Sequence, residues 1–158
     1  MSLSLRAARP DDAALILALV RELADYERLL HECEATQADL AAALFRPEPR
    51  VFAEIAEWNG EPAGLALWFY NFSTFKGRHG IYLEDLFVRP AFRSHGIGQS
   101  LLRHLAQRCL REGLPRLEWW VLDWNEPALR FYRRIGARPM DEWTVQRVTG
   151  EALAALAR

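Results

Sequence analysis

Apolar positions along the chain change period several times, and each change marks an element. Leu3 and Leu5 alternate with polar neighbours, the two-residue period of a short strand. Arg9-Pro10-Asp11-Asp12 follows, a Pro and two acids of the kind that open a helix. From Ala13 to Leu30 apolar residues return at helical spacing (Leu15, Ile16, Leu19, Val20, Leu23, Tyr26), and Thr36 is placed to cap a second helix through Phe45. Arg46-Pro47-Glu48-Pro49 breaks the chain. Val51–Trp58 and Ala63–Phe72 are rich in apolar and aromatic residues and flank Asn59-Gly60, so they predict two antiparallel strands joined by a two-residue hairpin.

After the polar stretch Ser73–Gly80, Ile81–Val88 predicts a long strand ended by Arg89-Pro90. A helix over Gly98–Glu112 and a strand over Leu117–Leu122 come next. Asn125-Glu126-Pro127 opens a helix through Ile135 that Gly136 stops. A last strand around Glu142–Val148 and a short terminal helix complete the reading. The order β-α-α-β-β-β-α-β-α-β predicts an α/β (α+β) protein: one domain over residues 1–158, with a mixed sheet and helices on both faces.

Composition narrows the function. Twenty Lys and Arg against twenty-one Asp and Glu leave a net charge of -1, without the basic field or stripe that captures nucleic acid. Cys33 and Cys109 lie far apart with no second Cys or His at ligand spacing, so no metal is expected. The two isolated thiols, the lack of a leader-like start and the absence of a long apolar run lead us to expect a soluble, cytoplasmic protein without a membrane partner.

The densest chemistry lies at Leu83–Leu102, where a strand, a turn and a glycine-bearing loop run into a helix. Glycines let backbone N–H groups approach an anion, and the helix start adds unpaired donors and partial positive charge. This suits a diphosphate. No Gly-Lys-Ser/Thr follows, which removes the P-loop reading, and Gly96-Ile97-Gly98 lacks the further spaced glycine of a dinucleotide fingerprint. Arg93-Ser94-His95-Gly96-Ile97-Gly98 resembles R-x-x-G-x-G/A, the signature by which GNAT N-acetyltransferases hold the pyrophosphate of coenzyme A. Asn125 to Ala137 resembles a second GNAT hallmark, N-x-x-A-x-x-F-Y-x-x-x-G-A. Glu22-Leu23-Ala24-Asp25-Tyr26-Glu27 and Tyr82-Leu83-Glu84-Asp85 are similar to E-L-A-x-Y-E and Y-L-E-D of the spermidine/spermine and thialysine N-acetyltransferases.

The resemblance implies a GNAT fold, whose twisted, mostly antiparallel central sheet has six to seven strands. It implies acetyl-CoA as co-substrate, held at Arg93, Ser94, His95, Gly96, Ile97, Gly98 and Gln99, with Asn125 and Ala128 along the pantetheine arm. Backbone N–H groups of Leu86, Phe87 and Val88 would polarise the acetyl carbonyl if the strand splays there. An alkylammonium has a pKa of about 10.4, so a base must take its proton. Glu84 is the expected base, directly or through water, and Tyr132 the acid for the departing thiolate. Tyr26, Glu27, Glu84, Asp85, Glu118 and Trp119 would line a negative acceptor site suited to a small cationic amine, a polyamine or a lysine-like amino acid. Lys76, Arg78 and His79 between Asn71 and Gly80 disfavour a long polycation and suit a substrate carboxylate. The resemblance also implies a homodimer. Acetylation of a protein N-terminus or an antibiotic, and a non-catalytic acyl-CoA-binding module, remain as alternatives.

Overall fold

The computed structural model describes residues 1–158 as two units, Met1–Trp120 and Val121–Arg158. The first holds strands β1 (Leu3–Ala7), β2 (Phe52–Trp58), β3 (Glu61–Ser73), β4 (Arg78–Val88) and β5 (Leu117–Trp119), with helices α1 (Ala13–Tyr26), α2 (Gln37–Leu44) and α3 (Ile97–Glu112). The second holds α4 (Glu126–Arg134) and α5 (Gly150–Leu156). The five strands form one sheet in chain order, antiparallel except where β5 joins β4 in parallel.

Local chemistry explains several boundaries. Asn59 and Gly60 both take positive φ, 51° and 82°, the backbone of the tight turn that matches strand twist. Thr36 caps α2 reciprocally: its Oγ1 accepts from the Asp39 N–H at 3.1 Å, and its own N–H donates to the Asp39 carboxylate at 2.9 Å. Asp12, buried before α1, is held by two Arg6 bonds of 2.7 and 3.0 Å and by the Arg9 N–H at 2.7 Å.

Successive strand residues point to opposite faces, and Ile55 and Ala56 are both fully enclosed, so both faces of the sheet are covered. On one face α1 and α2 close a core of Ile16, Leu19, Leu44, Ile55, Leu65, Leu67 and Phe87. On the other, Leu101 and Leu105 of α3 are enclosed, and the Arg108 guanidinium lies 5.1 Å from the Trp68 ring centre.

The sheet has five strands, not the expected six to seven. Glu142–Val148 forms no ladder, and Trp143, Val145 and Val148 are exposed. Alternation supplies a strand's faces, whereas the strand itself exists only with a partner for its backbone. The strand expected over Leu117–Leu122 likewise stops at Trp119. Instead, β3 and β4 run further into the polar stretch between them, leaving Thr74–Gly77 as the turn.

Candidate active site

The glycine-bearing loop keeps its donors open. Ser94 and Gly96 take left-handed backbone, φ 68° and 72°, and Gly96 caps α3 without any side-chain bond to the first-turn N–H groups. Those groups have no acceptor within the helix itself. A Cβ built at Gly96 would meet nothing within 4 Å, so the glycine is required by its φ and the space beside it is open. The start of this 16-residue helix thus carries first-turn N–H groups without a side-chain cap, a geometry that suits an anion, while the Arg93 N–H is taken by the Pro90 carbonyl at 3.3 Å.

In β4 the pairing runs Leu67↔Asp85 and then Trp68↔Leu83, so the register skips Glu84. This bulge turns the strand over. Asp85 and Phe87 share the α1 face with Leu65 and Leu67, while Leu83 pairs with Trp68 on the α3 face. Glu84 is exposed at the switch, and Asp85 is largely enclosed. Burial, then the negative charges of Glu84 and Glu27, push the Asp85 carboxyl up to about 7. Burial also raises Glu27 above the usual carboxylate range. The Tyr82 hydroxyl is pushed up well beyond its ordinary value by burial and by Glu84, Asp85 and Glu118, so it stays a hydrogen-bond donor at neutral pH.

β5 pairs with β4 only from Ile81 to Leu83, so Leu86–Val88 pair with β3 on one side and have no β5 partner on the other. Glu118 sits in β5 opposite Tyr82, with its carboxylate accepting from the Asn71 amide at 3.2 Å. Trp119 is opposite Leu83 and half-buried. Tyr26 ends α1, and its ring lies 5.1 Å from the Arg93 guanidinium carbon. One electrostatic neighbourhood thus joins Glu27, Glu84, Asp85, Tyr82 and Glu118.

In the second unit, Asn125 occupies the N-cap position of α4, and the Leu129 N–H donates to its carbonyl at 3.0 Å. Ala128 and Tyr132 follow at spacings of three and four residues, so all three share one side of the helix. Tyr132 is half-buried, with its ring centre 5.5 Å from that of Phe131.

Residues 16–137 match the model of the acetyltransferase (GNAT) family. The chain belongs to that family. It is an acetyl-CoA-dependent N-acetyltransferase, 38% identical to the thialysine N-epsilon-acetyltransferase of Bos taurus over 97% of this chain and 96% of that protein. It is 31% identical to an L-ornithine N5-acetyltransferase of Arabidopsis thaliana, over 96% of this chain and 86% of that one. Among solved structures it is similar to an integron cassette protein from the mobile metagenome of V. cholerae. The TM-score is 0.82 at 28% identity, over 100% of this chain and 99% of that one.

Two features of this GNAT chain were not visible in its motifs. Tyr82 stands inside the Y-L-E-D segment, yet its place amid three carboxylates depends on the pairing of β4 with β5. The skip at Glu84 depends on β3, because Ile81–Val88 reads along the chain as one regular strand.

Proposed function

We propose that this acetyltransferase moves the acetyl group of acetyl-CoA onto the side-chain amine of a small cationic amino acid, by direct attack in a ternary complex. The observation that carries the reading is the acidic group Glu27, Glu84 and Asp85, the last enclosed enough for its pKa to stand at about 7. Such a field favours a cation, and an acceptor ammonium that binds there must shed a proton before it attacks. Both relatives described above are named for amino acids bearing a side-chain amine. Lys76 in the β3–β4 turn and Arg78 and His79 at the start of β4 also favour a substrate with a carboxylate over a bare polyamine.

The diphosphate of coenzyme A takes N–H groups of the Arg93–Gln99 loop, chiefly those of Ser94–Gln99, and the pantetheine follows the free edge of Leu86–Val88; the family resemblance adds Asn125 and Ala128 as pantetheine contacts. Leu86–Val88 N–H groups polarise the acetyl carbonyl. Glu84 accepts the ammonium proton, directly or through water; the amine nitrogen attacks the carbonyl carbon; the C–S bond breaks; and Tyr132 protonates the thiolate, whose pKa is about 8.5 like that of Cys, and is reprotonated by the second proton that the nitrogen sheds as the amide forms. Tyr26, Glu27, Asp85, Glu118 and Trp119 line the acceptor site. The near-neutral pKa of Asp85 favours a second reading in which it, not Glu84, receives the proton. Cys109 is buried with its thiol pushed up, which disfavours an acetyl-cysteine intermediate. Residues 1–158 are read as one acetyltransferase domain, a reading supported by the family match over residues 16–137. The resemblance supports a homodimer, and two unpaired thiols, Cys33 and Cys109, support a cytoplasmic location.

A kinetic screen of thialysine, lysine, ornithine, spermidine and short diamines tests the reading. The highest kcat/KM should fall on an amino acid, with intersecting initial-velocity lines. A clear preference for spermidine would overturn the acceptor class, and parallel lines would overturn direct transfer.

A further inference from the structure

Arg93 opens the diphosphate loop, yet its side chain makes contacts that a simple phosphate ligand would not need. The Nε–H donates to the Val88 carbonyl at 3.0 Å, folding the side chain back onto the end of β4. Its guanidinium carbon lies 5.1 Å from the Tyr26 ring centre and 5.8 Å from that of Phe87, within the range of a cation over an aromatic face. Arg93, Tyr26 and Phe87, with Glu22, Asp25 and Pro90, line a cavity of about 290 Å³. Glu22 is already engaged by Arg89 through bonds of 3.0 and 3.1 Å, and the same arginine donates to the Pro62 carbonyl at 3.2 Å. The Arg93 side chain therefore touches the end of α1, which carries Tyr26, and the end of β4, while its backbone enters the left-handed turn at Ser94 and Gly96.

We propose that Arg93 is a positioning residue that ties the coenzyme loop to the acceptor-side Tyr26, acting through its planar donor and its stacked face rather than as a charge against the diphosphate. The inference rests on the acetyltransferase reading and adds a route by which the seating of the coenzyme loop fixes one wall of the amine site. A guanidinium can stack and donate from Nε at once; an ammonium is a point charge without a plane. The amide nitrogen of glutamine sits the same number of bonds from Cα as the arginine Nε, so it can reproduce the bond to Val88 without any charge.

Two variants at this exposed position therefore cross. With acetyl-CoA saturating, Arg93→Gln, which keeps a donor for Val88 but has no group left over the Tyr26 ring, should lower kcat/KM for the amine by about threefold. Arg93→Lys should lose about tenfold, mostly in the KM of the amine, with coenzyme A affinity by calorimetry changed less than about threefold. In a Tyr26→Leu background the glutamine substitution should cost measurably less, because the ring it no longer covers is already gone. Any ranking in which lysine performs as well as or better than glutamine overturns the proposal, as does an unchanged glutamine cost in the Tyr26→Leu background. Thermal unfolding of each variant separates a lost fold from a lost contact. A parent enzyme that binds no coenzyme A and acetylates no amine would overturn the acetyltransferase reading itself, an outcome distinct from either ranking.

Discussion

At Asp85, burial and the charges of Glu84 and Glu27 raise the carboxyl pKa to about 7, whereas an unfolded Asp titrates near about 3.9. Between those values the folded chain binds more protons than the unfolded one, so this residue's contribution to stability is full below about pH 4 and lost as pH rises through about 7. Asp85→Asn should cancel that slope. Thermal melts of the variant should fall less over this window than those of the parent, and the variant should be the more stable near pH 8. Parallel curves would show that Asp85 carries an ordinary pKa. Its neighbour makes a kinetic claim instead. Glu84→Gln should lower kcat/KM at neutral pH by about a hundredfold, with the loss shrinking as pH approaches the amine pKa of about 10.4, where the free base is abundant. Tyr132→Phe should lower kcat about tenfold or more with little change in the KM of acetyl-CoA. Turnover equal to the parent would remove either residue from its role.

Among the elements, those coded by adjacent residues could be read from the chain alone. Asn59-Gly60 fixes its own turn, Thr36 and Asp39 cap α2 within one turn, and the apolar stripe of α3 buries Leu101, Leu105 and Cys109 as its spacing requires. Elements coded by a partner could not. Glu142–Val148 has strand-like alternation and no ladder, and the bulge at Glu84 arises from register with β3. For the same reason the motifs nominated Glu84 and Asp85 together, while their unequal exposure emerged only from the fold. The loop before α3 gives a sharper test of local coding. Since the space beside Gly96 is open and only its φ of 72° is special, Gly96→Ala should weaken coenzyme A binding by about three- to tenfold through backbone strain. Gly96→Asn should recover part of the loss, because Asn tolerates the left-handed region. Calorimetric affinities that rank Ala above Asn would contradict that account.

For the whole molecule, a net charge of -1 supplies no general attraction for a polyanionic coenzyme, so its affinity has to come from oriented donors at one place. Composition alone could exclude a nucleic-acid field, and the motifs could name the family; only the folded chain displays bare N–H groups at the head of α3 beside an acidic strand. The most direct test of that claim is a titration of coenzyme A followed in ¹H–¹⁵N amide spectra. The largest shifts should fall on the backbone N–H groups of Ser94–Gln99. Saturable binding that leaves those amides unmoved would contradict the account.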